Sequence, residues 1–110
     1  MQKFSLEAQA REHLERARAG SSGRSSETVY GGHEHVLRQT VVAMIAGTSL
    51  SEHENPGEAT LQVLTGRVRL TSGDTSWDGR DGDLIAIPQA RHSVHAVEDC
   101  AFLLTVAKVG

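Results

Sequence analysis

The chain has 110 residues, 38% of them hydrophobic and only 4% aromatic, which fits a single domain with a core of Val, Leu, Ile and Ala. A net charge of −3 gives no general attraction to phosphate backbones, so nucleic acid is not an expected partner. The longest apolar run, Val41 to Ala46, is far shorter than the roughly 20 residues of a membrane span, and no hydrophobic signal segment opens the sequence. We therefore expect a cytoplasmic protein without a membrane partner. The single cysteine, Cys100, excludes an internal disulfide and is interpreted as a small buried or edge side chain.

The first predicted element is an amphipathic helix from Ser5 to Ala19. Its apolar residues recur near helical spacing at Leu6, Ala10, Leu14 and Ala17. Ser5 is placed to cap the first turn. This apolar stripe either covers one side of the chain's own β-structure or contacts a partner chain. His13 falls on the polar part of the helix and is expected to face solvent.

The rest of the chain predicts an all-β body. Gly20 to Ser26 is rich in Gly and Ser and indicates a flexible surface connection, which divides the chain into residues 1–26 and residues 27–110. From Thr28 onward, short runs of Val, Ile, Leu and Thr end at Gly, Pro, Asn or Asp. The predicted strands lie near Thr28–Tyr30, His35–Ala46, Ser49–Glu52, Ala59–Thr65, Arg67–Ser72, Thr75–Trp77, Leu84–Ile87, Ser93–Val97 and Phe102–Ala107. Many short strands with even turn spacing are typical of a sandwich or barrel.

Alternation is clearest over residues 67–71, where Val68 and Leu70 should face the core and Arg67 and Arg69 should face water. Turns punctuate the strands that follow. Their signals are Gly73-Asp74, Asp78-Gly79 and Asp81-Gly82-Asp83, and all of these aspartates are interpreted as turn formers.

Six histidines in a chain of this length suggest a metal site, because a neutral imidazole is a common ligand of transition metals. His33 and His35 flank Glu34 in a loop that leads into a strand. On a strand the two rings would share a face, which suits chelation, whereas loop residues beside a Gly pair are more often simply polar. Both interpretations stay open from the residues alone.

Residues 47–66 resemble the first sequence motif of the cupin superfamily, in which Gly is followed after five residues by His-x-His, then by Glu and a closing Gly. Gly47, His53 and Gly66 match this motif at the expected spacing. Asn55 stands where the second histidine would be, and Ala59 stands where the glutamate would be.

Residues 82–96 resemble the second cupin motif, which runs Gly, five residues, Pro-x-Gly, two residues, His, three residues, Asn. Gly82, Pro88 and His92 match, although the histidine arrives one residue early. Ala90 and Ala96 replace the internal glycine and the asparagine. The two motifs occur in order and are separated by a strand-turn-strand segment.

The resemblance implies a single cupin barrel, a double-stranded β-helix or jelly roll, with one N-terminal α-helix, and it implies a homodimer. In cupins the histidines and glutamate of the first motif and the histidine of the second converge on one metal. Here only His53 and His92 remain good ligands, so a divalent transition metal such as Zn, Fe, Ni or Mn is either held by them, with Asn55 as a weak third donor, or not bound. Strand alternation points Glu58 outward unless a bulge follows residue 56, and it places His95 on the opposite face from His92.

Two functional hypotheses follow. The first is a small-molecule-binding barrel with a degenerate metal site, whose pocket residues are His53, Asn55, Ala59, Leu61, Val63 and His92. The second is a metal-dependent cupin enzyme, of dioxygenase or isomerase type, that uses His53 and His92. No residue is assigned a catalytic role, because the sequence has neither a recognisable nucleophile motif nor a Gly-rich phosphate loop.

Overall fold

The computed structural model describes residues 1–54 and 57–108, which form one helix followed by nine strands. The elements are α1 Leu6–Ala19, β1 Arg24–Gly31, β2 Leu37–Met44, β3 Ser49–His53, β4 Gly57–Thr65, β5 Arg67–Ser72, β6 Thr75–Arg80, β7 Leu84–Ile87, β8 His92–Ala96 and β9 Cys100–Lys108. The predicted all-β body with one N-terminal helix is confirmed. In the described part of the chain, no helix is long and apolar enough to cross a membrane.

The strands form two antiparallel sheets, of order β1-β2-β9-β4-β7 and β3-β8-β5-β6. Each strand of the smaller sheet is a sequence neighbour of one strand of the larger sheet, in the same order: β3 follows β2, β8 precedes β9, β5 follows β4 and β6 precedes β7. Because the connections between these neighbours are short, they face each other across the core. This is the jelly-roll barrel that the resemblance implies.

The main core fills the space between the sheets. On β5 the alternation is as predicted: Val68 and Leu70 are fully buried, and Arg67 and Arg69 lie on the outer face, where both bind Asp78. The core residues come from both sheets and are Val42, Met44, Ala59, Leu61, Val63, Val68, Leu70, Ile87, Val94, Ala96, Cys100, Phe102 and Val106.

Helix α1 packs on the outer face of the five-stranded sheet. Its residues Ala10, Leu14 and Ala17 form a second small core with Ala43 of β2 and Ala101 of β9. Ser5 caps the helix as predicted, because the backbone N–H of Ala8 donates to its side-chain oxygen at 3.2 Å. The stripe therefore covers the chain's own sheet.

The prediction that His13 faces solvent is wrong, because its side chain is buried against β1 with only 1% of the residue exposed. Nδ1 lies 2.7 Å from the hydroxyl of Ser25. Nε2 lies 3.3 Å from Oε1 of Glu27, without the geometry of a hydrogen bond. A polar ring beside the apolar stripe is tolerated here because Ser25 and Glu27 occupy the positions of β1 that face the helix.

Two further expectations need correction. The connection after α1 is shorter than predicted, because β1 begins at Arg24. Asp78-Gly79 is not a turn but part of β6: Asp78 binds arginines on β5, and Gly79 is buried where a side chain would meet Ile85 and Val63. The Gly73-Asp74 turn is confirmed, since it joins β5 to β6 and Gly73 has a φ of +58°.

Candidate functional site

The motif histidines meet at one end of the barrel. His53 is the last residue of β3, His92 is the first residue of β8, and the two are paired in register between these neighbouring strands. Residues paired directly across two strands share a face, and the burial of Val94 and Ala96 shows that His92 faces the interior. We call this end of the barrel, where β3 ends and β8 begins, the histidine end.

The two imidazole rings are held in the same way. Their centroids are 4.6 Å apart and the planes are inclined by 60°. Nδ1 of His53 lies 2.8 Å from the carbonyl oxygen of Ser51, and Nδ1 of His92 lies 2.8 Å from the carbonyl oxygen of Ala90. A carbonyl only accepts, so each Nδ1 carries the hydrogen, and in the neutral ring each Nε2 keeps a free lone pair.

Burial differs between the two rings. His92 is 1% exposed, whereas His53 is only partly buried at the rim. The register of the β3–β8 pairing shifts between Leu50 and His53, at the end of β3. This irregularity allows both Leu50 and His53 to face inward despite their odd separation, so the bulge contributes to placing the first histidine.

The other predicted pocket residues lie on β4 or just before it. Ala59 is 7% exposed and belongs to the main core. Leu61 and Val63 follow it on the same inward face and are fully buried among core side chains. Asn55, the predicted weak donor, lies outside the described residues. The structure thus brings Ala59 to the same end as the histidines, with Leu61 and Val63 deeper in the barrel.

Glu58 points away from the histidines, as the alternation predicts. It lies on the outer face of the larger sheet and lines a shallow groove of about 360 Å³ together with Thr60, Gln89 and Thr105. Its register partner is Ala107 of β9. It therefore adds no carboxylate to the histidine end.

The remaining histidines stay apart from the site. His33 and His35 are exposed in the turn before β2, which begins at Leu37, so the structure supports the interpretation of both as polar loop residues. The rings of His35 and Tyr30 meet edge-on, with their centroids 5.5 Å apart. His95 lies on the outer face of β8, where its Nδ1 is 2.7 Å from the hydroxyl of Ser49.

The described residues do not bring together the full ligand set of a cupin metal centre. Within residues 1–54 and 57–108, no group of three or more His, Cys, Asp or Glu side chains is close enough to hold an ion. Ala59 offers a methyl group where the family motif has a carboxylate. Two imidazole nitrogens therefore fall short of the three protein ligands that catalytic zinc sites use.

Sequence reasoning missed two basic residues at this end of the barrel. Arg38 of β2 is paired with the buried Val106 of β9, which is paired in turn with Ala59. Lys108 is two residues further along β9 on the same inward face, and its Nζ donates to the carbonyl oxygen of Gly32 at 2.7 Å. The signal was present in the sequence: Arg38 and Thr40 occupy alternate positions of β2, on the face that Val42 and Met44 continue.

Comparison with solved structures finds this fold in other proteins. A conserved protein of unknown function from Streptococcus pyogenes has a TM-score of 0.73 at 26% identity, over 83% of this chain and 79% of its own. A cupin superfamily protein from Desulfitobacterium hafniense has a TM-score of 0.72 at 18% identity, over 78% of each chain. An RmlC-like cupin protein from Desulfovibrio desulfuricans has a TM-score of 0.66 at 26% identity, over 76% of this chain and 81% of its own. No family model matches the sequence, and no curated protein matches it.

Proposed function

We propose that this chain, which has the fold of the cupin superfamily, binds a small molecule at the histidine end of its barrel without a resident metal ion. The observation that carries the proposal is the His53–His92 pair: two neighbouring imidazole rings are each oriented by a backbone carbonyl at Nδ1, and no third His, Cys, Asp or Glu ligand accompanies them in the described residues. Polar groups that converge at the mouth of an apolar barrel are the usual anatomy of a ligand site.

The pair favours a ligand that carries hydroxyl or amine hydrogens. Each neutral Nε2 accepts one hydrogen bond, and each ring is already oriented by a backbone carbonyl, so little side-chain freedom is lost on binding. In this proposal Ala59, Leu61 and Val63 form the apolar inner wall of the site. The homodimer implied by the resemblance is part of the same proposal, and sedimentation equilibrium that finds only monomer at micromolar concentration would reject it.

One observation favours a second candidate, a metal-dependent cupin enzyme of dioxygenase or isomerase type. Histidines that bind metals usually donate their other ring hydrogen to a carbonyl or carboxylate, which is how Ser51 and Ala90 hold these two rings. The candidate needs further ligands from solvent or from Asn55. The metal content of the purified protein distinguishes this candidate from the metal-free binding site.

Elemental analysis of the purified protein distinguishes the two candidates. We expect less than about a tenth of an ion per chain in the wild type, in His53→Ala and in His92→Ala, after growth in metal-supplemented medium. His95→Ala is the matched control, because it removes an imidazole from the outer face of the same strand. A nearly stoichiometric ion in the wild type and in the control, lost from both site variants, would overturn the proposal in favour of the enzyme.

Binding is tested by NMR of the histidine ring nitrogens, with glucose, succinate and inorganic phosphate as probes. We expect at least one probe to shift the resonances of His53 and His92 in a saturable manner while those of His95 stay unchanged. The shifts should persist after dialysis against a chelator. If no probe moves these resonances at millimolar concentration, or if chelation abolishes the shifts, the metal-independent binding site is rejected.

A further inference from the structure

The inward face of the barrel carries charge of one sign only. Although the chain has 14 Asp and Glu against 11 Lys and Arg, no acidic residue occupies an inward position of the strands that the structure describes. The acidic strand residues face outward: Glu27 is beside His13, Glu52 pairs with the exposed Arg91, Glu58 lines the outer groove and Asp78 binds the outer arginines. The inward charged residues are Arg24, Arg38 and Lys108, to which the two histidines add their rings.

Arg38 stands opposite the histidine pair. Cross-strand partners place it in one inward row with Val106, Ala59 and Ile87, across strands β2, β9, β4 and β7. That row lies near the histidine end, because β3 stops at His53 just before β4 begins at Gly57, and β7 stops at Ile87 just before β8 begins at His92. Since β2 faces β3 across the core, Arg38 lies on the sheet opposite His53 at the histidine end.

Within residues 1–54 and 57–108, no carboxylate forms an ion pair with the guanidinium of Arg38. The ion pairs among the described residues are His13–Glu27, Arg18–Asp99, Arg67–Asp78, Arg69–Asp78 and Arg91–Glu52, so Arg38 belongs to none of them. Its backbone is flanked by the buried Val106 on one side and by Gly31 on the other, and its side chain is half-buried. A partly desolvated guanidinium beside apolar neighbours gains from an anionic partner more than an exposed one does.

We propose that the ligand of the histidine end is an anion whose carboxylate or phosphate oxygens are bound by Arg38, with Lys108 adding positive charge. This inference rests on the proposed ligand site and names its chemical class. The planar guanidinium offers parallel donors that match a carboxylate or phosphate, while the Nε2 atoms accept from a hydroxyl or amine on the same molecule. Hydroxy acids and sugar phosphates combine both features. The same positive charge opposes a divalent cation between the histidines, which agrees with their incomplete ligand set.

Four titratable groups are placed at the same end of the barrel as Arg38. His53 ends β3 and is followed by the exposed Glu54, Lys108 ends β9, and Glu34 lies in the turn between β1 and β2. Glu34 is exposed and is the acidic residue of that turn. The competing explanation for a basic residue at this position is a transient ion pair between Arg38 and Glu34. This explanation predicts that Arg38 has no effect on ligand affinity.

The test compares two arginines by titration with succinate and with inorganic phosphate, followed by the ring resonances of His53 and His92. Arg38→Gln removes the proposed anion contact. Arg80→Gln is the matched control, because it removes the same charge at the opposite end of the barrel, near the Gly66 turn. We expect the dissociation constant of the preferred anion to rise about tenfold or more in Arg38→Gln and less than about threefold in Arg80→Gln. Circular dichroism confirms that each variant is folded.

Each outcome decides the proposal. Preference for succinate identifies the group as a carboxylate, and preference for phosphate identifies it as a phosphate. Equal affinities in the two variants, or no saturable binding of either anion, would overturn the inference. If glucose shifts His53 and His92 while neither anion does, the proposed ligand site stands and only its anionic class is wrong.

Discussion

Cys100 illustrates how a single residue is controlled by its place in the core. The side chain is fully buried at the start of β9, where its backbone pairs with Met44 and lies against Gly66. Burial, together with the neighbouring charge of Asp99, raises the pKa of its thiol to about 12. Since the thiolate is the reactive form, the folded protein should hold this cysteine unreactive.

We expect a disulfide reagent at pH 8 to label native Cys100 at least about a thousandfold more slowly than the unfolded chain in guanidinium, because both thiolate fraction and access fall. Measurement of the coloured thiolate leaving group gives both rates. Labelling at similar rates in the two states would show that the residue is open to solvent.

His13 shows why some residues cannot be assigned from sequence. Its position beside the apolar stripe of α1 predicts a solvated ring, and nothing local indicates that Ser25 and Glu27 lie under it. The same limit applies to Arg38, whose role depends on the strand that faces it. By contrast, His53 and His92 were found from the resemblance to the two cupin motifs, and the structure shows that they are adjacent, each one residue beyond the predicted strand.

Strand β6 shows how an element at a sheet edge is retained. It pairs with β5 on one side only, and Asp78 in its middle accepts hydrogen bonds from both Arg69 and Arg67 on β5. These hydrogen bonds hold the pKa of Asp78 below its ordinary value, and the bond from Arg69 has the larger effect. A cross-strand cluster of this kind fixes the register that the Gly73-Asp74 turn begins.

Asp78→Asn should therefore destabilise the protein modestly, and Asp74→Asn in the adjoining turn is the matched control. Because the pKa of Asp78 is lowered on folding, its contribution is fully present above the unfolded value of about 4 and is lost as pH falls through the lowered value. In urea unfolding from pH 7 to pH 2, the free energy of unfolding of the wild type should exceed that of Asp78→Asn at neutral pH. This difference should disappear in acid. A difference that is independent of pH would assign the effect to something other than ionisation.

At the level of elements, alternation was the strongest guide. It predicted the buried faces of β4 and β5, because one side of each strand meets water and the other meets the opposite sheet. It failed where tertiary contacts override local pattern: Asp78-Gly79 resembles a turn, yet Gly79 is required so that β6 can approach Val63 and Ile85. The Gly/Ser segment after α1 likewise conceals the start of β1, whose polar residues pair with β2 by their backbones.

On the scale of the whole molecule, the acidic strand residues lie on the outer surface, where arginines pair with several of them, and the inward charged residues are all basic. The jelly-roll order places β2 opposite β3 and thereby sets the basic residue Arg38 against the histidine pair, while the acidic strand residues remain outside. No single motif encodes this arrangement, because it arises only when the inward positions of both sheets are combined.

Introducing a negative charge at one inward position tests this arrangement. Ala59→Glu places a carboxylate at a position that is 7% exposed between Val106 and Ile87, and Thr60→Glu places the same group on the outer face one residue later. We expect Ala59→Glu to lower the free energy of unfolding by about 2 kcal/mol or more, because an inward carboxylate loses its hydration, and Thr60→Glu to lower it by less than about 1 kcal/mol. Ala59→Glu should also weaken succinate and phosphate binding by repulsion, whereas Thr60→Glu should leave both affinities within about twofold. Urea unfolding and the ring-nitrogen titration measure the two effects, and equal behaviour of the two variants would show that Ala59 does not border an anion site.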